Sequence, residues 1–166
     1  MTEEILKWLD AIVKPLTTRI TTVAEIGALN VNGSARDILQ LPTMVWTGLD
    51  RQEGPCVDVV CNAAEWLGER KGQFELLISC EAYEHDPRFW ETNLAARNAI
   101  SPGGLYVVTT PTIGFPFHDY GGDYYRFTEM TYREIFFEQW GPCDLASVGQ
   151  YPHECIVGVA RKPIST

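Results

Sequence analysis

The chain has 166 residues, a formal net charge of −9, 45% hydrophobic and 21% charged residues, a balance expected of one globular domain with no room for a separate substrate domain. No apolar run reaches the roughly 20 residues that a membrane-spanning helix needs, and an acidic chain with dispersed basic residues disfavours long nucleic acids. Five cysteines, Cys56, Cys61, Cys80, Cys143 and Cys155, form no CxxC pair, which argues against a disulfide framework and a zinc cluster. The acidic start Met1-Thr2-Glu3-Glu4 lacks the basic flank and apolar stretch of a secretory signal, so a soluble, cytoplasmic protein is expected.

In chain order, Ile5, Trp8, Leu9, Ile12 and Val13 recur at helical spacing and Pro15 marks a stop, predicting an amphipathic helix over 3–14 that packs on the domain or lids its site. Short apolar runs follow at 22–26, 45–49, 57–61, 74–80 and 104–110, alternating with helical stretches at 34–40, 64–69 and 88–100. Strands alternating with crossover helices predict a doubly wound parallel α/β sheet. Residues 111–128 form a loop rich in Gly, Pro and aromatics, too long to be a plain connection and so assigned to the substrate side. A helix over 129–139 and strands at 145–148 and 154–160 complete the chain. One domain over 1–166 is expected, with 1–20 as its N-terminal helix or lid.

In such a sheet, ligands sit outside the carboxyl ends of the strands, where the strand order reverses. The first strand ends at Glu25-Ile26-Gly27-Ala28-Leu29-Asn30-Val31-Asn32-Gly33-Ser34. Gly27 permits a sharp turn and a close approach, and Asn32 or Ser34 suits a helix N-cap. The dinucleotide pattern G-x-G-x-x-G fails, because Leu29 and Asn32 stand where its later glycines belong. Asp50 ends the second strand, where an ionised carboxylate accepts from both hydroxyls of a ribose; a solvated turn residue is the alternative. Asn62 follows the third strand, either against an adenine edge or as the N-cap of the next helix.

The stretch Phe74-Glu75-Leu76-Leu77-Ile78-Ser79-Cys80-Glu81-Ala82-Tyr83-Glu84-His85, and after it Ser101-Pro102-Gly103-Gly104-Leu105-Tyr106-Val107-Val108, closely resemble phrases of the class I S-adenosylmethionine-dependent methyltransferases. The segment from Glu25 resembles that family's first motif, although Leu29 and Val31 replace two of its glycines. The resemblance runs from about Val23 to Thr110. It implies a Rossmann-like three-layer sandwich around a mostly parallel seven-stranded sheet with an antiparallel C-terminal strand. It also implies S-adenosylmethionine as cofactor and S-adenosylhomocysteine as product, held by Glu25, Gly27, Ala28, Asn30, Asp50, Arg51, Asn62, Ala63, Cys80 and Glu81. Glu25 suits a cofactor with an ammonium and a sulfonium centre, which a carboxylate attracts.

The implied reaction is in-line methyl transfer, for which alignment and exclusion of water suffice and no metal is required. An oxygen nucleophile additionally needs a proton acceptor. His118, beside Asp119 in the aromatic loop, and His85 are the candidates, with loop hydrogen bonding the alternative role for His118 and Asp119. Tyr83, Glu84, Asp119, Tyr125 and Arg126 are the candidate substrate contacts. Arg126 suits a carboxylate or phosphate, or else an ion pair with Asp123 or Glu129. Phe115, Phe117 and Tyr120 either stack on a sugar or planar ring or plug the sheet end. The expected partner is a small-molecule or glycan-like acceptor, on a monomer or homodimer without nucleic acid or membrane. A non-catalytic cofactor-binding or assembly protein on the same fold, and a protein methyltransferase, are the alternatives.

Overall fold

The computed structural model describes residues 1–119 and 121–164. Strands β1 (Thr22–Ile26), β2 (Val45–Asp50), β3 (Val59–Val60), β4 (Phe74–Cys80), β5 (Ile100–Pro111), β6 (Cys143–Val148) and β7 (Cys155–Arg161) form one sheet of order β3-β2-β1-β4-β5-β7-β6. The first five pair in parallel, and β7 runs antiparallel to both β5 and β6. The order reverses between β1 and β4, so the carboxyl ends of these two strands open a crevice.

Alternation along the central strands divides the apolar side chains between two faces. Ala24, Leu77, Tyr106, Val108 and Ile156 enter one core, and Val23, Leu76, Ile78, Val107 and Val157 the other. Against the first face pack helices α3 (Ala63–Gly68) and α4 (Phe89–Ala99), together with the aromatics Tyr132, Phe136 and Phe137. The second is covered by α1 (Glu3–Trp8), the turns after it and α2 (Ala35–Leu39). The result is the three-layer sandwich, with seven strands and the antiparallel C-terminal strand, that the resemblance implied.

Several element boundaries differ from expectation: β5 begins at Ile100, four residues before the expected run, directly after α4. The N-terminal helix is α-helical only through Trp8, widens to a π-helical segment at Leu9–Val13 and tightens to a 3-10 turn at Lys14–Leu16. Pro15 thus sits inside the helical segment, where the Thr17 hydroxyl donates to the Lys14 carbonyl at 2.9 Å and closes the turn. The strand expected at 57–61 is two residues long, and just before it Asp58 holds Gly48 twice, its carboxylate accepting the Gly48 amide at 2.7 Å and its amide donating to the Gly48 carbonyl at 2.9 Å. The helix expected over 129–139 is a single α-turn, α5 (Glu129–Thr131), followed by a π-helical segment at Tyr132–Phe136. Ser34 does cap α2, its Oγ accepting from the Arg36 amide at 3.0 Å.

Among the described residues no helix is long and apolar enough to cross a membrane.

Candidate active site

A cavity of about 610 Å³ opens at the carboxyl ends of β1, β2 and β4, at the strand-order reversal and within the size range of small-molecule sites. Of the sequence-expected cofactor residues, Glu25, Gly27, Ala28, Asp50, Arg51, Ala63, Cys80 and Glu81 line it. Gly27 turns the chain out of β1 at φ +72°, and a Cβ there would stand 2.5 Å from that of Ala82. The glycine therefore serves the close approach of the β1 and β4 exits as well as the cavity.

Asp50 holds the floor of this turn. Its Oδ2 accepts from the Leu29 amide at 3.2 Å and its Oδ1 from the Gln52 amide at 2.9 Å, leaving lone pairs on both oxygens for a ligand. Arg51 reaches Asp86 at 3.3 Å. Glu25 is buried and accepts from Trp46 Nε1 at 2.9 Å. Burial pushes its pKa up to about 7 against the opposing pull of that hydrogen bond. Glu81 ends β4 in the left-handed region at φ 51°, bonded to Thr109 Oγ1 at 3.0 Å. Its pKa is raised by burial and then by neighbouring Glu84. Burial likewise pushes the Cys80 thiol up, which keeps it protonated and a packing residue.

Two expected cofactor contacts fall outside the described lining. The Asn30 carboxamide oxygen accepts from the Gly33 amide at 3.0 Å, bracing the loop. Asn62 caps α3 through the Ala64 amide at 2.9 Å, the alternative its sequence position allowed; its neighbours Cys61 and Ala63 line the cavity instead. Leu29 and Val31, standing where glycines were expected, are themselves wall residues.

The substrate side departs further from expectation. Tyr83 is a core residue, 1% exposed, whose hydroxyl pairs with that of Tyr106. Tyr106 in turn donates to Asn93 at 3.1 Å. Tyr125 is spent on the Pro87 carbonyl at 2.9 Å and on packing with Phe89 and Phe127. Arg126 fastens the loop: it grips both oxygens of Asp123 and donates to the carbonyls of Phe115 and Pro116 at 3.0 and 2.9 Å. Its fork is thus occupied by the ion pair rather than offered to a ligand, and it holds Asp123 down to about 2. Asp119 is exposed and accepts from the Gly122 amide at 2.8 Å. It is Asp123, not Asp119, that lies beside His118, 3.4 Å from Nδ1.

His85 and His118 both line the cavity, their rings edge to face with centroids 5.0 Å apart. Behind them Glu84 is fully buried, and neither of its carboxylate oxygens has a hydrogen-bond partner among the described residues. Its Oε1 is 3.6 Å from His85 Nε2 and 3.7 Å from His118 Nε2. The facing Glu84 carboxylate raises the His118 pKa above the ordinary value, aided by the Pro116 carbonyl and Asp123 and opposed by partial burial. Phe115, Phe117 and His153 add walls; Tyr120 lies outside the described residues.

Solved structures share this architecture. Burkholderia thailandensis 1,6-didemethyltoxoflavin-N1-methyltransferase, determined with 1,6-didemethyltoxoflavin and S-adenosylhomocysteine, superposes with a TM-score of 0.76 over 97% of this chain and 80% of its own, at 17% identity. The fold is a methyltransferase fold. A SAM dependent methyltransferase from Archaeoglobus fulgidus matches over 95% of this chain and 93% of its own, with a TM-score of 0.73 and 13% identity. The N-methyltransferase NodS from Bradyrhizobium japonicum WM9, in complex with S-adenosylhomocysteine, matches over 96% and 84%, with a TM-score of 0.67 and 14% identity. No family model and no curated protein matches the sequence.

Proposed function

We propose that this methyltransferase-fold chain binds S-adenosylmethionine in the cavity between β1, β2 and β4 and transfers its methyl group to a small-molecule or glycan-like acceptor. The observation that carries the reading is Asp50 at the end of β2, its carboxylate facing the cavity beside the Gly27 turn. Acceptor-only oxygens at that point suit the two hydroxyls of a ribose. Cys61 and Ala63 offer a small, apolar seat for a flat base, and buried Glu25 and half-buried Glu81, at the exits of β1 and β4, are the acids that a cationic ligand would draw into their ionised form.

When bound, the sulfonium supplies an activated leaving group. The chain's own residues then have to align and desolvate the acceptor. Phe115 and Phe117 wall the acceptor side, held by the Arg126–Asp123 clasp on the loop backbone. His118 and His85 are the groups at that wall able to handle a proton from an acceptor oxygen. Nucleic acid is not the acceptor in this reading, given the charge of −9.

Isothermal titration with S-adenosylmethionine and S-adenosylhomocysteine tests the cofactor assignment; saturable one-to-one binding is expected, and no binding of either ligand overturns it. Incubation with methyl-labelled cofactor and cell extract, followed by mass identification of the labelled product, then tests the acceptor class. A labelled small molecule is expected; label confined to protein would overturn that part of the reading.

A further inference from the structure

Glu84 sits fully buried at the head of the turn after β4. A carboxylate with no exposure and, among the described residues, no hydrogen bond on either oxygen is a costly arrangement unless something positive completes it. What faces it compounds the problem. His85 Nδ1 is bonded to the Gly122 carbonyl, and His118 Nδ1 lies 3.2 Å from the Pro116 carbonyl. A carbonyl only accepts, so each ring donates from Nδ1, and an imidazole neutral at Nε2 turns that lone pair toward Glu84. Three potential ligand atoms converge, all within 4.8 Å of one another.

We propose that Glu84, His85 and His118 form a binding site for a divalent transition-metal ion of the zinc class at the acceptor wall of the cavity. Two imidazoles and one carboxylate are a borderline-soft set of the kind that takes zinc, cobalt or iron in place of magnesium or calcium. An ion about 2.0–2.1 Å from each donor places neighbouring donors about 3.3 Å apart at tetrahedral angles. The two Glu84–histidine separations, 3.6 and 3.7 Å, stand a few tenths of an ångström from that value. They are too long for a proton shared in a direct hydrogen bond. The Nδ1 contacts to backbone carbonyls are the outer partners that orient histidine ligands in metal sites.

The two elements that meet here are unrelated in sequence: the turn after β4 carries Glu84 and His85, and the aromatic loop carries His118. With three protein donors, a fourth position is left toward the cavity, where an oxygen donor of a ligand would bind. The ion site stands without the methyl-transfer reading; only its role in holding and acidifying an acceptor hydroxyl rests on that reading. With an ion bound, the two imidazoles act through it and not as free bases.

The test uses tag-free full-length protein stripped with chelator, titrated with Co²⁺ by visible absorption and with Zn²⁺ by calorimetry. One ion per chain is expected, with visible d–d bands that Zn²⁺ abolishes. His118→Asn, on an exposed loop that leaves the core intact, is expected to weaken binding at least roughly tenfold, as is Glu84→Gln. His153→Ala is expected to retain the ion. Absence of saturable uptake by the wild type, or uptake indifferent to both ligand variants, overturns the site; loss in His153→Ala overturns the ligand set. S-adenosylhomocysteine titrated into the same stripped sample separates the two readings: cofactor binding without ion binding leaves the methyltransferase reading standing alone, and ion binding without cofactor binding does the reverse.

Discussion

Asp50 and Glu25 are both acids at strand ends, yet their surroundings give them different tasks. Asp50 keeps lone pairs free beside the turn, so Asp50→Ala is expected to weaken S-adenosylmethionine binding at least roughly tenfold, the loss of hydrogen bonds to a charged group. Asp50→Glu should lose less, and titration calorimetry comparing the two checks this; equal affinities would remove Asp50 from the site. Glu25 acts on stability through its raised pKa. The folded chain holds this proton more tightly than the unfolded one, so its contribution is complete below about 4.5, declines as pH rises and is gone above about 7. That window corresponds to about 3 kcal/mol at most. Glu25→Gln keeps an acceptor for Trp46 and should flatten this part of the profile, as urea unfolding of both proteins at pH 5 and pH 8 will show. Both acids were legible in the sequence because strand ends are fixed by short apolar runs. The condition of Glu84 was not, since an unpartnered carboxylate is created by burial from segments distant in sequence. The roles of Tyr83 and Arg126 escaped for a related reason: a tyrosine in a loop phrase gives no sign that it points into the core, and an arginine beside an aspartate fits a ligand and an ion pair equally well.

At the level of elements, the β1 exit is the joint on which the cavity depends. Gly27→Ala forces a side chain to φ +72° and into Ala82, adding about 1–2 kcal/mol of backbone strain to about 1–3 kcal/mol of overpacking. A loss of at least roughly 2 kcal/mol in chemical unfolding is expected, together with weaker cofactor binding. The aromatic loop depends on polar fastening in place of regular structure. Asp123→Asn removes the charge that Arg126 grips, and should raise amide exchange across residues 115–119 while leaving the sheet protected. Element types followed from periodicity, but helix geometry did not. The shift of the first helix to π and then 3-10 turns, and the two-residue length of β3, leave no mark on the apolar spacing from which the elements were read.

The molecule as a whole places its ligand crevice where two halves of the sheet diverge, so occupancy should couple to global stability. At a cofactor concentration 100 times the dissociation constant, binding adds about 2.7 kcal/mol, which for a chain of this size raises Tm by about 5–10 °C. Differential scanning calorimetry with and without S-adenosylhomocysteine tests this, and an unchanged Tm would contradict occupancy of the cavity. The sheet order β3-β2-β1-β4-β5-β7-β6 also sets a clock. Strands β1, β4 and β5 are flanked on both sides, whereas among the described residues β6 pairs with β7 alone. Deuterium should therefore enter Cys143–Val148 long before it reaches Phe74–Cys80, so that the margin of the sheet opens to solvent while the strands framing the cavity stay closed.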